Sequence, residues 1–146
     1  MTHIVHHLQS TDHPKIDAIV GLDSRGFLLG PWIASRLGAA FVPVRKSGKL
    51  PGKTVKVGYE KEYGTDYFEM QEDALKPGQH VVVLDDLIGN LGVHSSLATG
   101  GSAQAAGKLI KLSGAMTIEY VFFIELLALQ GSSLLDAPTY SVIQFD

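Results

Sequence analysis

Two adjacent carboxylates, Asp85 and Asp86, follow directly after the apolar run VVVL at residues 81–84. Open α/β sheets bind ligands beyond the carboxyl ends of their strands, so an acid pair at this position could bind a ligand. Because like charges repel, the pair needs a partner, which a sugar diol or a nearby metal would supply. A solvated acidic turn is the alternative, and the pair by itself leaves both interpretations open.

A glycine-rich segment comprising Ala98, Thr99, Gly100, Gly101 and Ser102 leads into a predicted helix. Its two glycines allow consecutive backbone N–H groups to turn towards one point. The hydroxyl groups and the positive end of the helix would also favour an anion there. The segment therefore predicts a phosphate site, with a flexible turn capped by Ser102 as the alternative.

A second loop, containing Asp23, Ser24 and Arg25, follows the apolar run 18–22 and precedes another predicted helix. A guanidinium group binds phosphate oxygens with two parallel N–H groups, so this loop suits a second phosphoryl group. A surface ion pair between Arg25 and Asp23 is the alternative.

A basic segment at residues 45–53 is rich in glycine and proline, which predicts a surface loop. As a mobile lid, it would close over an anionic substrate and exclude water. A solvated loop is the alternative. The cations of this segment are Arg45, Lys46, Lys49 and Lys53.

Two further pairs carry less information by themselves. Glu62 and Tyr63 lie at a predicted hairpin turn, where surface residues are common. His6 and His7 could bind a metal, but no carboxylate accompanies them at ligand spacing. A solvated helix end is the simpler interpretation of the two histidines.

The predicted elements alternate between short strands and helices. Apolar runs predict strands over 18–22, 40–44, 80–84, 116–124 and 139–145, the last as an edge strand. Alternating residues predict a hairpin that pairs 54–60 with 65–71. This order predicts an α/β fold in which a parallel sheet carries helices on both faces.

Helical periodicity completes this architecture. It predicts one helix over 27–38, ending at Gly38, and another over 102–113, opened by Ser102. Pro31 should lie in the first turn of its helix or kink it. The opening segment 2–10 is typical of the end of a helix.

Composition narrows the function classes. The chain has 146 residues, a formal net charge of -3 and no cysteine. This excludes a disulfide scaffold, a thiolate zinc site and a cysteine nucleophile. The negative charge disfavours nucleic acid and anionic membranes as partners. Without a recognisable signal peptide or spanning segment, we expect a single cytoplasmic domain.

Taken together, these motifs resemble the adenine phosphoribosyltransferases of the type I phosphoribosyltransferase family. The resemblance runs from about residue 16 to the C-terminus and implies a Rossmann-like parallel sheet, with a β-hairpin and flexible loop over the site. The motifs that carry it are IVGLDSRGFLLGP (19–31), VPVRKSGKLPG (42–52), YEKEYGTDYFEMQEDAL (59–75), VVVLDD (81–86) and LATGGSAQAAG (97–107).

The resemblance implies a reaction. Such enzymes transfer the 5-phosphoribosyl group of 5-phosphoribosyl-1-pyrophosphate to adenine, giving AMP and diphosphate. Mg²⁺ would be bound mainly through the substrate and water, so a protein metal site is not expected. A homodimer is also implied. An unrelated Rossmann-type dehydrogenase or methyltransferase would instead need G-x-G-x-x-G after the first strand, where this chain has DSRGF.

The resemblance also assigns roles to the candidate residues. Asp85 and Asp86 would bind the ribose hydroxyls, and Ala98, Thr99, Gly100, Gly101 and Ser102 the 5-phosphate. Asp23, Ser24 and Arg25 would bind pyrophosphate. Arg45, Lys46, Lys49 and Tyr63 would belong to the lid or the loop, and Glu62 and Arg25 would be catalytic.

Two departures from the family pattern bear on activity. The family has two residues between the acid pair and the alanine, whereas this chain has eleven, Leu87–Leu97. Removing Ile88–Ser96 restores a normal motif, DDLLATGGS. Since active sites tolerate errors of only about 0.5–1 Å, an impaired or inactive nucleotide-binding homologue is the alternative function. We also expect the N-terminal hood over the base to be missing from residues 1–146.

Overall fold

The computed structural model of the chain describes residues 2–61, 64–88, 100–127 and 130–146. Its helices are α1 (Thr2–Ser10), α2 (Gly26–Leu37) and α3 (Gly101–Leu112), with a short 3-10 helix at Gly131–Leu134. Its strands are β1 (Ala18–Leu22), β2 (Ala40–Lys46), β3 (Thr54–Lys61), β4 (Gly64–Gln71), β5 (His80–Ile88), β6 (Met116–Leu126) and β7 (Thr139–Phe145).

These strands form one seven-stranded sheet in the order β3-β4-β2-β1-β5-β6-β7. The five strands β2, β1, β5, β6 and β7 are parallel to their neighbours in that run. The predicted hairpin is confirmed as β3 and β4, and its strand β4 pairs antiparallel with β2. The predicted edge strand at 139–145 is likewise confirmed as β7.

The sheet is covered on both faces, as predicted. On one face, α3 packs its buried residues Ala105, Ala106, Leu109 and Ile110 against the apolar side chains of β5, β6 and the hairpin. On the other face, α1 and α2 bury Ile4, Leu8 and Ile33 against β1, β5 and β6. Burial of this apolar surface holds the helices against the sheet and fixes the strand ends that carry the polar loops.

The helices differ from the predictions at their ends. Both α2 and α3 begin one residue earlier than predicted, and Gly38 ends α2 in the left-handed region, with φ of 66°. The predicted capping role of Ser102 is wrong, because Gly100 occupies the N-cap and Ser102 lies inside α3. Pro31 lies in the interior of α2 rather than in its first turn. Leu112, the last residue of α3, is exposed.

Two strands extend beyond their predicted ends. The sequence placed Arg45 and Lys46 in the basic loop, which is wrong, since both belong to β2 and pair with Glu69 and Phe68 of β4. Strand β5 continues through Asp85 and Asp86 because β6 accompanies it as far as Ile88. Its pairing with β1 ends at Leu84, so the two acids extend past the end of β1.

Candidate active site

The parallel strands bring two of the predicted binding segments together at one edge of the sheet. β1 ends at Leu22, and the loop of Asp23, Ser24 and Arg25 follows it directly. The adjacent strand β5 carries Asp85 and Asp86 beyond that point. Because carboxyl ends of neighbouring parallel strands meet at the same edge, side chains 61 residues apart in the sequence come into contact.

The contact is an ion pair between Arg25 and Asp86, in which the Arg25 guanidinium donates to the Asp86 carboxylate. The Arg25 side chain is 72% exposed. The hydrogen bond and charge of Asp86 raise the pKa of Arg25, so its positive charge is secure. The alternative in which Arg25 pairs with Asp23 on the surface is wrong, because Arg25 pairs with Asp86 and Asp23 forms its ion pair with Arg45.

A glycine permits this contact. Gly26 begins α2 where the helix approaches β5, and a Cβ at this position would lie 2.8 Å from the carbonyl oxygen of Leu84. A larger residue would push the start of α2 away from the strand, and Arg25 with it. The peptide bond between Asp23 and Ser24 is cis.

The neighbouring acid, Asp85, is partly buried. Its Oδ1 accepts the backbone N–H of Asp86 at 2.8 Å. Burial raises the pKa of Asp85 well above its usual value, and the charge of Asp86 adds to this effect. Asp85 and Asp86 thus differ in environment. Asp85 is partly buried, whereas the charge of Asp86 is neutralised by Arg25. Two carboxyl groups of this kind can accept hydrogen bonds from a ligand's hydroxyl groups.

A second ion pair joins the same loop to β2. Arg45 Nε donates to Asp23 Oδ2 at 3.0 Å, and the guanidinium lies 5.7 Å from the centre of the Phe27 ring. Arg45 also donates from Nη1 to the carbonyl oxygen of Lys49, at 3.5 Å. Arg45 therefore connects the loop after β1 with the basic loop, instead of belonging to that loop.

The sequence did not single out Glu69 of β4, although this residue organises the basic loop. Its side chain is buried, and its Oε1 accepts the backbone N–H groups of Lys49 at 2.9 Å and Leu50 at 2.8 Å. Burial opposes its ionisation, but hydrogen bonds from the backbone of Leu50, Gly48 and Lys49 outweigh it and lower its pKa. An acid between Phe68 and Met70 in a buried strand was the signal in the sequence.

The glycine-rich segment is described in part. Gly100, with φ of 67°, precedes α3, and a Cβ there would lie 2.9 Å from the carbonyl oxygen of Gly131. The backbone N–H groups of Gly101 and Ser102 belong to the first turn of α3, where they have no partner within the helix. This geometry suits an anion at the helix N-terminus.

Four predicted site residues lie outside the described part of the chain: Glu62, Tyr63, Ala98 and Thr99. The extra segment Ile88–Ser96 lies outside it as well, except for Ile88 at the end of β5. The solvated helix end expected for His6 and His7 is wrong for His7, whose Nε2 lies 2.7 Å from Oε1 of Glu119. The described residues contain no cluster of three or more metal-ligating side chains. None of the described helices is long and apolar enough to cross a membrane.

Comparison with known proteins places this site in a family. A family model for the phosphoribosyl transferase domain matches residues 2–143. An adenine phosphoribosyltransferase from Yarrowia lipolytica is 58% identical over 130 residues, which are 88% of this chain and 66% of that protein. One from Mus musculus is 48% identical over 141 residues, which are 96% of this chain and 73% of that protein.

A solved structure is similar throughout the fold. It is an adenine phosphoribosyltransferase from Saccharomyces cerevisiae complexed with D-2,5-dideoxy-2,5-imino-altritol 1,6-bisphosphate and adenine. The TM-score is 0.82 at 48% identity, covering 97% of this chain and 73% of that one. This confirms the predicted type I phosphoribosyltransferase fold. The chain belongs to the phosphoribosyl transferase domain family and, within it, to the adenine phosphoribosyltransferases.

Proposed function

We propose that this protein transfers the 5-phosphoribosyl group of 5-phosphoribosyl-1-pyrophosphate to adenine, giving AMP and diphosphate. The observation that carries the proposal is the contact between Arg25 and Asp86. It brings the loop after β1, which suits a phosphoryl group, next to the acid pair at the end of β5. The identity with adenine phosphoribosyltransferases supports the same reaction. Because the chain spans less than two thirds of the length of the Yarrowia relative, the activity is a proposal for this chain.

The roles that we propose for the residues rest on the family resemblance. Asp85 and Asp86 accept hydrogen bonds from the ribose hydroxyls, while Ser24 and Arg25 bind the pyrophosphate. The segment from Ala98 to Ser102 binds the 5-phosphate with backbone N–H groups at the start of α3. The resemblance assigns Glu62 and Tyr63 to the reacting centre, with Glu62 and Arg25 as the catalytic residues.

The proposed reaction breaks the bond between ribose C1 and the pyrophosphate oxygen, and the electron pair leaves with diphosphate. An adenine ring nitrogen forms the new bond to C1 and loses its proton. A displacement of this kind needs stabilisation of the departing charge and exclusion of water more than a strong nucleophile. Arg25 supplies a positive charge that remains fixed across the physiological pH range.

Mg²⁺ fits the described residues as a substrate-bound ion. Asp86 is paired with Arg25 and Asp23 with Arg45, so these two carboxylates already have protein partners. Mg²⁺ prefers oxygen ligands and retains water, which suits coordination by substrate oxygens with Asp85 and Asp86 nearby. When bound, it would neutralise negative charge on the pyrophosphate.

Several finer proposals accompany the reaction. The homodimer rests on the family resemblance. A single domain over residues 1–146 and a cytoplasmic location rest on the length and composition of the sequence. The ligands are adenine, phosphoribosyl pyrophosphate, AMP and diphosphate. Light scattering coupled to size-exclusion chromatography tests the dimer, which a purely monomeric species at micromolar concentration would contradict.

The experiment that tests the function follows AMP formation from adenine and phosphoribosyl pyrophosphate with Mg²⁺. A chain lacking Ile88–Ser96, with the motif DDLLATGGS, is assayed in parallel. Turnover by the full chain supports the proposed function, and its absence contradicts it. Turnover only by the shortened chain, together with AMP binding by the full one, would identify the impaired homologue instead. The family comparisons give this alternative no support.

A further inference from the structure

The peptide of Lys49 in the basic loop is held from two sides. Its N–H donates to Oε1 of Glu69 at 2.9 Å, and its carbonyl oxygen accepts from Nη1 of Arg45 at 3.5 Å. These two side chains belong to paired positions of neighbouring strands, β4 and β2. Lys49 is thus fixed by its backbone, while its side chain remains exposed.

Glu69 is an unusual residue for its position. Phe68 and Met70 belong to the apolar core beneath α3, and since side chains alternate along a strand, Glu69 lies on the opposite face. It is nevertheless only 1% exposed. A buried carboxylate must be compensated by hydrogen bonds, and the loop supplies them.

The compensation comes mainly from the loop backbone. Leu50 N–H donates to Glu69 Oε1 at 2.8 Å, and Thr54 Oγ1 donates to Oε2 at 3.2 Å. Gly48 precedes Lys49 and Leu50, and its φ of 87° is one that L side chains rarely adopt. Successive N–H groups turned towards one oxygen form an anion-binding concavity. In this chain, Glu69 fills it.

The arrangement continues from the loop to the candidate active site. Arg45 binds Lys49 through one nitrogen and Asp23 through another, the latter at 3.0 Å. Asp23 belongs to the same short loop as Arg25, which contacts Asp86. A chain of polar contacts therefore leads from the buried Glu69 through Lys49 and Arg45 to the pyrophosphate loop.

We propose that Glu69 is a positioning residue that fixes the basic loop, and with it Lys49, against the proposed pyrophosphate site. The inference rests on the proposed function only in naming pyrophosphate as the ligand. Glu69 is itself buried. It acts through the backbone of residues 48–50, so its removal should weaken the binding of one substrate and release the loop.

The test compares Glu69→Ala and Glu69→Gln with the matched control Glu72→Ala, which removes an exposed acid just beyond β4. The first readout is independent of activity: the rate of trypsin cleavage after Lys49 in the folded protein. For E69A we expect cleavage roughly tenfold faster than in the wild type, as the loss of the anchoring hydrogen bonds implies. E72A should remain at the wild-type rate.

The second readout is steady-state kinetics with both substrates. For E69A we expect the KM for phosphoribosyl pyrophosphate to rise roughly tenfold, with the KM for adenine unchanged. E69Q keeps an oxygen that accepts from Lys49 and Leu50, so it should restore most of the loop protection and of that KM. A merely structural role would lower the apparent kcat in proportion to the loss of folded protein and leave both KM values unchanged.

Each outcome decides the proposal. Wild-type cleavage and wild-type KM values in E69A would overturn it, and so would a folded E69Q with the loop as exposed as in E69A. If E69A does not fold, amide hydrogen exchange in the wild type decides instead: slow exchange at Lys49 and Leu50 supports the anchor, and fast exchange contradicts it. If the wild type transfers no phosphoribosyl group, the proposed function fails, while the cleavage and exchange measurements still test Glu69.

Discussion

Arg25 and Asp86 neutralise each other at the carboxyl edge of the sheet, although 61 residues separate them in the sequence. Arg25 is proposed for the pyrophosphate and Asp86 for a ribose hydroxyl. Substrate binding must therefore exchange this contact for contacts to the ligand. An exposed pair of this kind contributes little to stability, so the exchange costs little.

Replacement of Arg25 should affect activity far more than stability. We expect Arg25→Ala to lower kcat/KM for phosphoribosyl pyrophosphate by about 10²–10³, the usual effect of removing one donor aimed at developing negative charge. Arg36→Ala is the control, since Arg36 lies on the same helix but stacks on Trp32, 4.8 Å from the ring centre. An R25A enzyme within twofold of the wild type would exclude Arg25 from the site.

Asp85 should make the free protein less stable as the pH rises. Because folding raises its pKa, the folded chain retains a proton that the unfolded chain releases between the ordinary aspartate value and the raised one. The free energy of unfolding therefore falls as the pH increases through that window. Asp85→Asn ends this titration, and its amide oxygen still accepts the N–H of Asp86.

We therefore expect D85N to unfold at a higher temperature than the wild type at neutral pH, and at the same temperature in acid below pH of about 4. Its kcat/KM should nevertheless fall, because the amide replaces one of the two carboxyl oxygens available to the ribose with an N–H donor. Thermal unfolding across pH measures the first effect, with exposed Asp73→Asn as the control. A D85N protein less stable than the wild type at neutral pH would contradict the burial argument.

Glu69 should show the opposite dependence on pH. Folding lowers its pKa, so its contribution to stability is complete above the ordinary glutamate pKa and disappears as the pH falls through the lowered value. The free energy of unfolding, measured with denaturant, should fall with decreasing pH more steeply for the wild type than for E69Q, and only in this acid range. Glu72→Gln serves as the control, and parallel curves for E69Q and the wild type would show that Glu69 does not titrate with folding.

His7 should stabilise the packing of α1 against strands β6 and β7. His7 Nε2 lies 2.7 Å from Oε1 of Glu119, a residue only 6% exposed, and its ring stacks on Tyr140 at 3.6 Å between centroids. His7→Ala leaves a buried carboxyl without this partner, so the free energy of unfolding should fall by about 2 kcal/mol. Exposed His6→Ala is the control. Equal unfolding midpoints for the two variants would refute this role.

The sequence predicted the elements well where periodicity decides them. The hairpin of β3 and β4 and the edge strand β7 follow from alternation and branched apolar runs within each segment. The end of α2 at Gly38 follows from a residue that accepts positive φ without strain. Each of these features depends on residues close together in the sequence, so the local sequence is enough to predict it.

The ends of strands were less predictable, because they depend on backbone hydrogen bonds to neighbouring strands that are distant in the sequence. Arg45 and Lys46 resemble a basic loop in composition, yet β4 supplies backbone partners that keep them in β2. The same holds for Asp85 and Asp86, which β6 retains in β5. Hydrogen bonding to a neighbouring strand outweighs the weak preference of a charged residue for a loop.

By itself, the sequence determined the acid pair, the loop after β1 and the glycine-rich segment as places for chemistry, because motif spacing and periodicity are local properties. It missed Glu69 and placed Arg45 and Lys46 in a loop. Only the tertiary structure decided their partners: Arg25 with Asp86, Arg45 with Asp23, and Glu69 with the backbone of the basic loop. These contacts join residues 19 to 61 positions apart. They exist because sheet order and register bring those strands side by side, which no local pattern specifies.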